Sequence, residues 1–108
     1  MGRSLGNGSR RLIPEIVWTE SAVDDLNRHY DFLKINNADA AARAIQGIVS
    51  SAESLQENPR RDTAISQSPG LRKLFVSFGK YGYVIHYALL EDDVIILRVY
   101  HGRENRPY

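Results

Sequence analysis

Three consecutive runs, Leu71–Phe78, Tyr83–Leu90 and Val94–His101, are dense in β-branched and aromatic residues. The breaks between them hold Gly79, Gly82 and the acidic stretch Glu91-Asp92-Asp93. Strand formers separated by short turn formers specify an antiparallel meander, because each break is too short for a crossover. Tyr83, Ile85, Tyr87 and Leu89 alternate onto one face of the middle strand, and Val84, His86 and Ala88 onto the other. In the last strand the same period sets Ile95, Leu97 and Val99 against Val94, Ile96, Arg98 and Tyr100. One face must meet the rest of the chain. The other, with His86, Arg98 and Tyr100, is apolar enough to call for a partner segment.

The preceding residues supply the cover. Pro14–Thr19 reads as a short first strand with Ile16 and Trp18 on one face. Thr19 or Ser21 then caps a helix, with Glu20, Asp24 and Asp25 near its positive end. Ala22, Leu26, His29, Tyr30 and Leu33 form its stripe, and His29 reads as a packing residue. Asn36-Asn37 breaks the pattern. A second helix is expected from Asp39 to about Gln56, with Ala41, Ala44, Ile45, Ile48, Val49, Ala52 and Leu55 at helical steps. Its small residues favour a close helical hairpin, and Asn58-Pro59 ends it. Residues 60–70 are expected to be a loop, with Arg60 and Arg61 facing either solvent or a partner. The expected class is therefore α+β, in the order β-α-α-β-β-β, with a helical hairpin packed on a small antiparallel sheet.

The 108 residues fit one domain, expected to span 13–108 after a Gly-rich, polar lead at 1–12. No cysteine is present, which excludes disulfides and thiolate metal sites and suits a reducing cytoplasm. No apolar run is long enough for a membrane span, so no membrane partner is expected. Three scattered histidines give no metal-ligand spacing, and no Gly-rich phosphate loop is seen, so no cofactor or metal is called for. Charge is uneven. Residues 15–57 hold eight acidic and three basic side chains, whereas 58–80 hold five basic and one acidic, and 98–108 three basic and one acidic. Such a division either attracts an acidic partner to the sheet side or only keeps surfaces solvated.

The phrases VWTESAVDDLNRHYDFL, LRKLFVSFGKYGYVIHYAL and DDVIILRVYHGREN, in this order across residues 14–105, resemble the RelE/ParE toxins of type II toxin–antitoxin systems. The resemblance implies two possible activities: ribosome-dependent mRNA cleavage in the RelE branch, and poisoning of DNA gyrase in the ParE branch. In both, the C-terminal segment of an antitoxin wraps the toxin, so a hetero-oligomer with a cognate antitoxin is implied. Nucleases of the family commonly carry a YRxxY-like phrase in the middle strand. Here Val84 stands where its Arg would be, and an apolar side chain cannot donate to a phosphate. The ending VYHGREN also resembles the ParE branch. A gyrase-binding toxin is thus expected rather than a catalyst. The alternatives are a RelE-like endonuclease and a non-toxic relative that only binds antitoxin.

The site residues expected follow from that. Arg98, His101, Arg103 and Arg106 would engage the target, on account of their local positive charge. Arg72 and Lys73 with Val76, Phe78, Val84, His86 and Ile96 would receive the antitoxin. If the chain were a nuclease, His86, Arg98, Tyr100 and His101 would be the candidates for acid, base and phosphate contacts.

Overall fold

The computed structural model describes residues 13–60, 63–64 and 70–106. The lead expected at 1–12, and Arg61, lie outside the described residues. In chain order the elements are β1 (Ile16–Trp18), α1 (Glu20–Lys34), α2 (Ala38–Glu53) with a 3-10 turn at Ser54–Gln56, β2 (Thr63–Ala64), β3 (Leu71–Val76), β4 (Tyr83–Leu90) and β5 (Asp93–His101).

Both helices begin at side-chain caps. Thr19 Oγ1 accepts from the Ala22 N–H at 3.1 Å, and Asn37 Oδ1 from the Ala40 N–H at 3.0 Å. Ala22 on α1 and Ala41, Ala44 and Ala52 on α2 are buried, and their small size lets the helices pack closely beside buried Ile48. The hairpin covers one face of the sheet. The core beneath it holds Leu55, Leu74, Val76, Tyr83, Ile85, Tyr87, Val94, Ile96 and Val99. Burying each large side chain there contributes roughly 1.5–3 kcal/mol.

The sheet order is β1-β5-β4-β3-β2. The expected meander is present, with β3, β4 and β5 antiparallel. Two features refine the expectation. First, β1 runs parallel to β5, pairing Val17 with Ile95, so the whole sheet is mixed. Second, the stretch read as loop contains β2, which pairs antiparallel with β3. A strand of two residues is too short to leave a periodic trace in sequence.

The register of β5 shifts opposite His86/Tyr87. Tyr87 pairs with Ile96 and His86 with Arg98, leaving Leu97 as the extra residue of a β-bulge. The bulge resets the alternation. Val94 and Ile96 face the core before it, and Val99 faces the core after it. A strict period of two set Ile96 and Val99 on opposite faces, which is corrected here.

Candidate functional site

The edge of β5 is only partly covered by β1. Beyond Ile96 its backbone would be bare, and α1 covers it with polar side chains instead. Thr19 Oγ1 donates to the Ile96 carbonyl at 2.9 Å. Asp25 Oδ2 accepts from the Val99 N–H at 2.8 Å. His29 Nε2 lies 2.8 Å from the Val99 carbonyl. A carbonyl only accepts, so Nε2 carries the proton. Asp25 and His29 lie one turn apart on α1, which brings both to the helix face that meets the strand, and Thr19 caps the end of the same helix.

Asp25 is 3% exposed. Besides Val99 it accepts from Arg98 Nε at 2.7 Å and Nη2 at 3.0 Å, a bidentate pair, and from Arg28 Nη2 at 3.1 Å. Burial pushes its pKa up, but these hydrogen bonds outweigh it and hold the carboxyl below its usual range. The pairing raises the pKa of Arg98, chiefly through its hydrogen bond to Asp25. Arg28 also meets Glu104 Oε2 at 3.1 Å, and Glu104 Oε1 accepts from the His101 N–H at 3.0 Å. The C-terminal turn is thereby tied to α1.

Each expected site residue can now be placed. Arg98 is clamped to Asp25, with its guanidinium 5.1 Å from the Tyr100 ring. His86 is buried, and its ring meets Tyr100 edge-on at 5.0 Å. Burial pushes its pKa down, and the charges of Arg106, Lys73 and Arg98 add to that. Tyr100 and Val84 are buried too, so the outer sheet face is less bare than expected. Val76 and Ile96, expected to receive an antitoxin, belong to the core under the helices and have no surface for docking. Phe78 packs partly against that core. Arg72 donates to the Arg60 carbonyl at 2.8 Å, and Lys73 pairs with His86 across β3 and β4.

His101, Arg103 and Arg106 come together at one end of the sheet. The Arg103 N–H donates to His101 Nδ1 at 3.1 Å, and the Arg103 guanidinium stands 4.8 Å from the ring of half-exposed Tyr81. Lys80 flanks the same ring at 5.5 Å. Gly102 locks this corner: its N–H donates to the Gly82 carbonyl at 2.8 Å, and a Cβ there would lie 2.0 Å from the Tyr81 carbonyl oxygen.

Sequence reasoning missed a cavity of about 310 Å³ between α1 and the ends of β4 and β5. Its apolar wall is Phe32 and Leu33, and His29, Tyr83 and His101 supply polar rings. Phe32 is 73% exposed, and Ile35, one helical step on, is 78% exposed. The signal available was Arg98. A cation inside an apolar strand needs a carboxylate, and Asp25 with His29 one turn later marks the matching helix face. No group of side chains with metal-ligand geometry occurs among the described residues. No helix among them is long and apolar enough to cross a membrane.

Residues 16–106 match the family model described as the ParE toxin of the type II toxin–antitoxin system parDE. The chain belongs to the ParE toxin family. This ParE-family toxin is 42% identical over 73 residues to Toxin RelE3 of Caulobacter vibrioides, covering 67% of the chain and 77% of the relative. It is 35% identical over 82 residues to Toxin RelE1 of the same organism, covering 76% and 86%. In structure it is similar to a chain of the chromosomal ParDE system from P. aeruginosa, with a TM-score of 0.69, 24% identity and coverage of 82% and 95%. It is also similar to a chain of the RelBE2 toxin–antitoxin complex from Mycobacterium tuberculosis, with a TM-score of 0.62, 21% identity and coverage of 83% and 99%. At these identities the two structures establish the fold: two helices on a mixed sheet.

Proposed function

We propose that this type II toxin acts in the cytoplasm by binding DNA gyrase, without bond-breaking chemistry of its own, and that a cognate antitoxin neutralises it in a hetero-oligomer. The observation that carries this reading is the condition of the outer sheet face. A nuclease centre on that face would need a free cation beside an accessible acid or base there. Arg98 is committed to Asp25, His86 is buried under Tyr100, and Val84 occupies the position between them and the strand end. The accessible cations are instead those of the corner, Arg103 with Lys80 beside Tyr81, next to His101 and Arg106. That corner is the proposed target surface.

The test is a gyrase supercoiling assay with the purified chain. Inhibition is expected, relieved by adding the co-encoded antitoxin. Alanine at His101, Arg103 and Arg106 together should abolish inhibition while melting stays close to that of the parent chain. Full inhibition by the triple variant would remove this surface; no inhibition by the parent chain would remove gyrase. The second reading is a RelE-like ribosome-dependent mRNA endonuclease, favoured by the RelE names of the two Caulobacter relatives.

A further inference from the structure

The cavity between α1 and the sheet shares only His101 with the proposed target surface, and its chemistry is of another kind. Its volume, about 310 Å³, lies at the lower end of small-molecule sites. Two of its polar side chains are more than nine-tenths buried, yet each keeps an unused hydrogen-bonding atom. His29 is 5% exposed and spends its Nε2 proton on the Val99 carbonyl. In the neutral ring this leaves Nδ1 as a lone-pair acceptor. Tyr83 is 2% exposed, and its ring meets those of His29 and His101 edge-on at 5.0 and 5.5 Å. Neither His29 Nδ1 nor the Tyr83 hydroxyl has a hydrogen-bond partner among the described residues. Neither atom is sealed off, so both open onto the cavity. Such nearly buried side chains, each with an unpaired polar atom facing an open space, are a built contact for a ligand.

The pattern of donors sets the ligand's chemistry. His29 Nδ1 asks for an N–H. Tyr83 offers an O–H, and His101, whose Nδ1 already accepts from Arg103, offers Nε2–H. The rim charges cancel, since Arg28 is held by Glu104 and Asp25. A bare ion would find no free countercharge there. Phe32 and Leu33 give a flat ring an apolar wall.

We propose that this cavity binds a small, neutral, planar aromatic molecule with an amide-like edge, an N–H beside a carbonyl or ring nitrogen. The N–H meets His29 Nδ1, and the neighbouring acceptor takes the Tyr83 O–H. Two sources share that edge, an aromatic carboxamide and a nucleobase, so benzamide and adenosine are the two probes. Binding is reversible and non-covalent, and it does not depend on the gyrase reading.

The experiment is a titration of the isotopically labelled full chain, followed by its backbone amide resonances. One or both probes should shift Arg28, Leu33 and Tyr83 saturably in the millimolar range. Benzoate, which lacks the donor, and benzamidine, which lacks the acceptor, should bind at least about threefold more weakly than benzamide. Tyr83→Phe should weaken binding of the preferred probe about three- to tenfold without lowering the melting temperature, because its hydroxyl has no bond to lose. Exposed Phe32→Ala provides a second variant whose folding is secure, and it too should weaken binding. The proposal is overturned if neither probe saturates these resonances, if benzamide binds but benzoate and benzamidine bind equally well, or if Tyr83→Phe has no effect on the preferred probe.

Discussion

Removing the carboxylate of Asp25 is the most informative perturbation of this fold. Asp25→Ala leaves the Val99 N–H without its acceptor in a buried position, a loss of roughly 1.5–3 kcal/mol for a charge-assisted bond. It also frees Arg98, whose side chain is 42% exposed, so solvent screens that pair and it contributes only about 0.5–1 kcal/mol more. Arg28 is more exposed still and keeps Glu104, so its share is negligible. The expected cost is about 3 kcal/mol, a large part of the roughly 5–15 kcal/mol that holds a domain together. Urea titration should read this as a lower midpoint with an unchanged slope. The acid limb gives a second signature. The folded-state pKa of Asp25 lies below the usual value, so its contribution is complete above about pH 4 and fades as pH falls through the folded pKa. Asp25→Asn should therefore flatten the loss of stability at acid pH. A cost under about 1 kcal/mol for Asp25→Ala would refute the idea that α1 seals the strand edge through this carboxylate.

Two further perturbations probe other parts of the account. Burial depresses the pKa of both His29 and His86, so folding favours their neutral forms; stability should fall as pH drops below about 6.5 through the folded values, and His29→Gln should remove its share in pH-dependent melting. Gly102→Ala drives a Cβ into the Tyr81 backbone, so the corner must open; melting should drop by several degrees, and amide exchange should quicken at Gly82 and Gly102 first.

The helices were legible because their stripes are long and regular. Ala41, Ala44, Ile48 and Ala52 repeat at three- and four-residue steps, and Thr19 is a strong cap. The meander was legible from its turns. The β4–β5 connection shows the limit of this: Glu91 takes φ +58 where Gly would sit more easily. The bulge at Leu97 left no trace in composition, since Ile95, Ile96 and Leu97 are interchangeable by hydropathy. The faces of Ile96 and Val99 were misread for that reason. Asp25 looked like a helix-dipole residue because sequence alone does not show that Arg98 lies across from it. The cavity was hidden because its polar rings come from three elements, and His29 gave no sign that one nitrogen was spent and the other spare.

In the proposed function the chain inhibits by occupying a surface and cleaves nothing. Ribosomes paused on a defined message, incubated with the purified chain and read by primer extension, test it most directly. The account predicts an intact message at concentrations that stop supercoiling. Cleavage by the parent chain that disappears in a folded His86→Ala variant would contradict it.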